Sequence, residues 1–367
     1  MRVTDIRAIL FTENPEESWS FPHGPGVGAV VTYRFLDEDG LLEENAPRKE
    51  DPRVLTESQR EVFRDAFEQF EDAANLRFVE VGPGEEAMIG IHNAAKLGNT
   101  LGYSEYFPNH DKAPDSMLVV VKHRDGTYRT LDEETVIHEL GHAMGLDHPF
   151  DGKFKLPNRL DDTDTTVMAY TPGASGPALE LRPLDIEALQ HLYGTEDSTA
   201  KAQVSYEDGK IRMKLSNDAD ELITPWHDSR VQARGGDDTV YGRQGRDTLI
   251  GGAGDDLLNG GGKTDRLFGG AGEDQLVGGK GRDVLTGGSG ADQFTFTEND
   301  SGARDRITDY ALAEDVIDLS DAFTDISVRA VGSDSKVIAR GEAGRVTILV
   351  ENVAAADLEA DLGLGLV

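Results

Sequence analysis

"GGAGDDLLNGGGKTDRLFGGAGEDQLVGGKGRDVLTGGSGADQF", residues 251–294, repeats itself with a period of nine. Carried backwards, the same step sets Asp238, Asp247, Asp256, Asp265, Asp274, Asp283 and Asp292 in register without a break. Two positions after each aspartate stands a large apolar residue: Val240, Leu249, Leu258, Leu267, Leu276, Leu285 and Phe294. A glycine-rich turn precedes each aspartate, clearest in "GGAGDD", "GGAGED", "GGKGRD" and "GGSGAD". Short self-similar units of this kind cannot bury their apolar residue alone and do so by stacking on their neighbours.

Glycine turn, aspartate and apolar residue in this order form the calcium-binding nonapeptide pattern of parallel β-rolls. Successive units lie on alternate sides of such a roll, so aspartates 18 residues apart share a face. Carboxylates and turn carbonyls then supply the hard oxygen ligands that calcium takes. The best sites are expected at Gly252, Gly254 and Asp256, at Gly270, Gly272 and Asp274, at Gly279, Gly281 and Asp283, and at Gly288, Gly290 and Asp292. Ala233 and Arg234, Arg243, and Lys263 stand where the pattern has glycine, which weakens the sites expected at Asp238, Asp247 and Asp265. Without the cation the aspartate rows repel one another and the glycines favour disorder, so folding is expected to follow calcium.

The rest of the composition agrees with a cation-loaded protein. The 367 residues include 69 acidic and 36 basic side chains, a formal charge of −33. That balance argues against nucleic acid, whose phosphates need clustered Lys and Arg. No cysteine is present, which removes disulfides and thiol chemistry. The start, "MRVTDIRAILFTENPEESW", has an apolar run only from Ala8 to Phe11, and the longest later run is "MLVVV" at 117–121. Neither a Sec-type signal nor a membrane span is expected, and any export uses another route.

Upstream of the repeats lies "HELGHAMGLDHP", residues 138–149. His138 and His142 are four apart on an expected helix, so both imidazoles project from one face. Glu139 sits beside them, where a carboxylate reaches a metal-bound water without binding the metal. Gly145 suits the left-handed turn that ends a helix, after which the chain can bring His148 back as a third nitrogen ligand. Three protein ligands and one open position make a catalytic zinc arrangement, whereas four would make a structural one.

Residues 165–171, "TTVMAYT", taken with this motif, resemble the Met-turn of the metzincin zinc peptidases. Pro149 after the third histidine and the downstream nonapeptides are similar to serralysins, and the resemblance covers nearly the whole chain. It implies that Met168 lies as an apolar floor beneath the zinc. It also implies that Tyr170 ligates the zinc at rest and donates a hydrogen bond to the oxyanion during catalysis. Glu139 is then the general base in hydrolysis of peptide bonds in protein or peptide substrates. The segment "NTLGYSEYFP" is the candidate edge strand for an extended substrate, with Tyr103, Tyr106 and Phe107 as subsite or packing residues. The resemblance further implies one zinc ion, several calcium ions, a monomer secreted through a type I (ABC) apparatus by a C-terminal signal, and no membrane insertion. The competing reading is a non-catalytic RTX calcium-binding adhesin or toxin-like module, which the repeats alone would fit.

The expected fold is an α+β metzincin-like zinc protease domain followed by an all-β parallel β-roll with a β-rich C-terminal cap. The boundaries read from the sequence are an extension over 1–27, which includes the acidic "TENPEES" as a candidate latency segment, a protease domain over 28–195 and a connector over 196–232. The roll then spans 233–297 and the cap 298–367.

Overall fold

The computed structural model describes residues 27–38, 52–82, 85, 87–94, 102–107, 116–122, 133–149, 161–195, 202–297, 300, 302–321, 323–342 and 344–363. Residues 1–26 and 364–367, which hold most of the expected N-terminal extension and the extreme C-terminus, lie outside them, as do the side chains of Tyr103, Tyr106 and Phe107. The chain divides into two compact units, residues 1–200 and 201–367. Among the described residues no helix is long and apolar enough to cross a membrane.

The first unit holds strands β1 (Gly28–Phe35), β2 (Pro52–Arg53), β3 (Leu76–Glu80), β4 (Ile89–Ala94), β5 (Gly102–Phe107) and β6 (Ser116–Lys122). Among the described residues the helices α1 (Glu57–Ala73), α2 (Glu133–Ala143) and α3 (Pro183–Tyr193) accompany them. β1 pairs in parallel with β3 and β4, β4 pairs in parallel with β6, and β5 runs antiparallel to β6 at the sheet's edge. The apolar residues of α1 recur at helical spacing: Phe63, Ala66, Phe67 and Phe70 are buried, and Val62 lies half-buried at the margin. Phe67 packs against Tyr33 and Phe78 with ring centroids 4.3 and 4.4 Å away. At the front of α1 the Gln59 side chain accepts the Thr56 N–H at 2.8 Å, the reach-back of a capping box. α2 packs on β5 and β6, which brings its buried face to the sheet edge.

The second unit is a β-roll built on the nine-residue step. One ladder runs through β9 (Glu221–Ile223), β11 (Thr239–Tyr241), β13 (Leu257–Lys263), β15 (Gln275–Gly281), β17 (Gln293–Phe296) and β19 (Val316–Leu319). The other runs through β8 (Lys210–Lys214), β10 (Ser229–Gly235), β12 (Thr248–Ala253), β14 (Arg266–Ala271), β16 (Val284–Ser289) and β18 (Arg304–Ile307), all parallel. Strands consecutive in sequence therefore alternate between the ladders, and residues 18 apart become neighbours, as in Leu249↔Leu267 and Leu258↔Leu276. Val240, Leu249, Leu258, Leu267, Leu276, Leu285 and Phe294, the apolar residues two places after the aspartates, are all fully buried.

The stacking runs past the repeat at both ends. Leu222 pairs with Val240, Val231 with Leu249, Ile307 with Leu285 and Ile317 with Phe294, all buried. The stretch read as a connector thus contributes rungs, as well as β7 (Gln203–Glu207) antiparallel to β8. The C-terminal stretch adds antiparallel strands β20 (Phe323–Val331), β21 (Asp334–Gly341) and β22 (Gly344–Val350), with β22 pairing in parallel with β18. A short helix, α4 (Ala355–Asp361), follows, and its Asp361 accepts the Tyr310 hydroxyl at 2.5 Å. No periodicity announced that helix in the sequence.

Candidate metal centre

α2 ends where Gly145 takes φ 91°. Leu146 N–H bonds to the Gly141 carbonyl at 2.9 Å and Gly145 N–H to the His142 carbonyl at 3.0 Å. This is the paired 6→1 and 5→2 closure of a Schellman motif, with glycine at the left-handed position. The chain reverses and sets His148 against the two helical histidines. One nitrogen from each of His138, His142 and His148 lies within 4.8 Å of the others. His148 Nε2 is 3.2 Å from His138 Nε2 and 3.1 Å from His142 Nε2.

The outer ring nitrogens are held by backbone. His138 Nδ1 is 2.8 Å from the Val167 carbonyl, and His142 Nδ1 is 2.8 Å from the Leu146 carbonyl. A carbonyl accepts only, so both Nδ1 atoms carry the hydrogen and both Nε2 atoms present lone pairs inward, the tautomer a metal needs. Burial lowers the pKa of His138 to about 4 and that of His142 to about 3, which keeps both imidazoles neutral. Three imidazole nitrogens converging at this spacing fit a tetrahedral zinc site with one position left for a reactant.

Glu139 is buried, and burial pushes its carboxyl up to about 7 against the opposing pull of a Ser104 hydrogen bond. Ser104, on edge strand β5, lies with its Oγ 3.1 Å from Glu139 Oε2 and 2.7 Å from the Glu139 carbonyl. Gly102 leaves room for that carboxylate, because a Cβ there would stand 2.8 Å from Glu139 Cγ. Met168 is fully buried, and its Sδ would lie 2.5 Å from a Cβ at Gly141, so the sulfur packs directly under the helix that carries the histidines. The Tyr170 ring lies 5.3 Å from the His138 ring and 4.7 Å from the His148 ring, yet the residue is 65 % exposed. It therefore stands at the rim of the cluster, open to a reactant.

The roll aspartates form two ladders. Asp238 N–H donates to Asp256 Oδ1, Asp256 N–H to Asp274 and Asp274 N–H to Asp292, at 2.8, 2.9 and 3.1 Å. The second ladder links Asp247 to Asp265 and Asp265 to Asp283, both at 2.8 Å. In every one of these seven residues Oδ2 is buried without a hydrogen-bond partner among the described residues. A row of buried carboxylate oxygens with no donor is what a hard cation satisfies. Arg234, Arg243 and Lys263 adopt φ of 87°, 60° and 75°. The turns thus keep their left-handed form where glycine is missing, at a cost of roughly 1–2 kcal/mol for each side chain. The ladder also reaches residues outside the repeat: Asp220 N–H donates to Asp238, Asp283 N–H to Asp305 and Asp292 N–H to Asp315.

Ser104, Gly102, Gly141 and Asp185, which holds Thr166 and Val167, were not singled out from the sequence. A serine within "GYSEYF" and an aspartate within "PLDIEALQHLY" carry no spacing signal of their own.

The family of the RTX calcium-binding nonapeptide repeat (4 copies) matches residues 232–262 and 259–294. Serralysin of Proteus mirabilis is 26% identical over 61% of this chain and 52% of its own length. Serralysin B and Serralysin G of Dickeya chrysanthemi are 28% and 30% identical, each over 52% of this chain and 44% of their own length. The chain spans about half the length of the curated relatives it matches. Over these stretches the chain is similar to serralysins, and it carries the RTX calcium-binding nonapeptide repeat.

Proposed function

We propose that the protein is a secreted zinc- and calcium-dependent endopeptidase. The observation that carries this reading is the convergence of His138, His142 and His148 within 4.8 Å, with buried Glu139 on the same helix. His138, His142 and His148 would hold zinc, which when bound acidifies a water and polarises the scissile carbonyl. Glu139 takes the water's proton and passes it to the departing amine. Ser104 engages Oε2, which leaves Oε1 as the proton's station. Tyr170, exposed beside two of the imidazoles, is placed to join the metal at rest and to donate its hydroxyl hydrogen to the oxyanion. Among the described residues β5 pairs with β6 alone, and its other edge suits an extended peptide.

The repeats supply calcium sites that hold the second unit folded, and their partnerless Oδ2 atoms support this assignment. A fold that waits for calcium fits export of an unfolded chain through a type I apparatus into a calcium-rich exterior. The working division remains a protease domain over 28–195 and a roll over 233–297 with its cap to 367. The test is casein digestion by the intact, calcium-loaded protein. Hydrolysis should vanish with a zinc-selective chelator, return with added zinc and be lost in Glu139→Ala. Digestion persisting in that variant would reject the proposed chemistry.

A further inference from the structure

Asp185 is fully buried in the first turn of α3, away from the three histidines, and no role in hydrolysis accounts for it. It accepts three hydrogen bonds. Oδ1 takes the Thr166 hydroxyl at 2.5 Å, while Oδ2 takes the Val167 N–H at 3.0 Å and the Arg182 N–H at 2.8 Å. The last of these would suffice to cap α3. The other two reach back 18 and 19 residues, to the segment that passes beneath the histidines. Val167 then turns its carbonyl to His138 Nδ1 at 2.8 Å. A continuous path thus runs from the Asp185 carboxylate through the Val167 peptide to the imidazole of His138.

We propose that Asp185 is a positioning residue for the metal centre, fixing the Val167 carbonyl that orients and polarises His138. This rests on the reading of the three histidines as a metal site. The carboxylate does two things that a neutral acceptor does not. It polarises the Val167 peptide, which strengthens the carbonyl's hold on Nδ1–H and raises the basicity of Nε2. It also accepts from three donors at once without offering one. Thr166 Oγ1 already accepts the Met168 N–H at 3.1 Å, so its own hydrogen is committed to Asp185. An asparagine that keeps its oxygen on the two N–H groups turns its amide donor to the Thr166 hydroxyl, which can accept it only by turning away the hydrogen it now gives to Asp185, and it brings no charge to polarise the Val167 peptide.

The experiment uses the full, calcium-loaded chain carrying zinc, and then cobalt(II) in its place. Zinc release into excess chelator is timed for wild type, Asp185→Asn, Thr166→Val and, as a stability control on the same helix, Gln190→Ala. Gln190 donates to the Ala73 carbonyl at 3.0 Å, at the end of α1. Outer-sphere partners of metal-bound histidine are typically worth about 10–100-fold in affinity. Asp185→Asn should therefore release zinc about tenfold faster or more and alter the cobalt absorption bands. Thr166→Val, which keeps the charge, should change release less and in the same direction, and Gln190→Ala should release as wild type does.

Release by Asp185→Asn within twofold of wild type would overturn the proposal, as would equal acceleration in Gln190→Ala at a matched loss of thermal stability. A wild-type chain that takes up no transition metal would overturn it together with the proposed function. A wild-type chain that binds zinc through the histidines but digests no protein would remove the proposed function alone, and the Asp185 effect on release would still stand.

Discussion

Asp274 Oδ1 receives the N–H of Asp256 at 2.9 Å, while its Oδ2 is buried with no partner. Each rung of the roll divides its carboxylate in this way: one oxygen builds the stack, and the other waits for a cation. The ladder is therefore stable in two chemically different states, with protons or with calcium on the second oxygen. It is unstable in the third, bare and ionised.

That division sets the pH dependence of the calcium-free roll. Burial, with the neighbouring rungs adding to it, raises Asp238, Asp265 and Asp274 to about 7 and Asp247 to about 9. A carboxyl with a raised folded-state pKa stabilises the fold below its unfolded value near 4 and loses that contribution as pH rises through the folded value. In chelator, the strand signal in circular dichroism should be larger at pH 5 than at pH 8. With millimolar calcium the order should reverse, because protons then compete with the ion. A calcium-free roll equally folded at both pH values would contradict the ladder's account.

Asp274→Asn separates the two oxygens. The amide oxygen can still accept the Asp256 N–H, but an NH2 group replaces the ion-seeking Oδ2. Calcium-free protein at pH 8 should melt at the wild-type temperature or above it, since a buried charge has gone. The calcium midpoint should rise by about tenfold, because affinity follows ligand charge. A variant that weakened both states alike would point to packing as the cause.

Glu139→Gln probes the other unit. The glutamine preserves shape and can still meet Ser104, but it cannot take up a proton. Hydrolysis should fall by about 10²–10⁴-fold, the usual worth of a positioned acid–base group, with zinc content unchanged by elemental analysis. Loss of zinc along with activity would place Glu139 among the ligands instead.

The repeat and the histidines were legible in the sequence because each repeats at the spacing of the structure it forms. A nine-residue step becomes a rung, and a four-residue step becomes a helix face. What stayed hidden lacks a constant step. Asp305 continues the ladder 22 residues after Asp283, and Asp315 lies 23 after Asp292, so longer turns break the count although both carboxylates occupy rung positions. Ser104 meets Glu139 across 35 residues, and Asp185 meets Val167 across 18, through contacts that only tertiary folding creates. The roll's N-terminal reach was hidden for another reason: "ADELIT" and "SRVQAR" keep the nine-residue step and the apolar residue but not the glycines.

Gly141, the fourth residue of "HELGH", tests how tightly the floor of the metal centre is packed. On helix propensity alone, Gly141→Ala should stabilise by about 1 kcal/mol. Here the new Cβ would stand 2.5 Å from Met168 Sδ and 3.7 Å from Leu146 Cδ1, with Met168 fully buried and nowhere open to move. Overpacking of a dense core costs about 1–3 kcal/mol, so the clash outweighs the propensity and the net change should be destabilising. Met168→Ala should also destabilise, by opening a cavity of the kind that costs about 2–5 kcal/mol. The double variant restores room for the Cβ and should be more stable than the two single effects sum to, with a coupling of about 0.5–3 kcal/mol. Additive effects in chemical denaturation would mean that the methionine yields without strain, and that the sulfur does not brace the histidine helix.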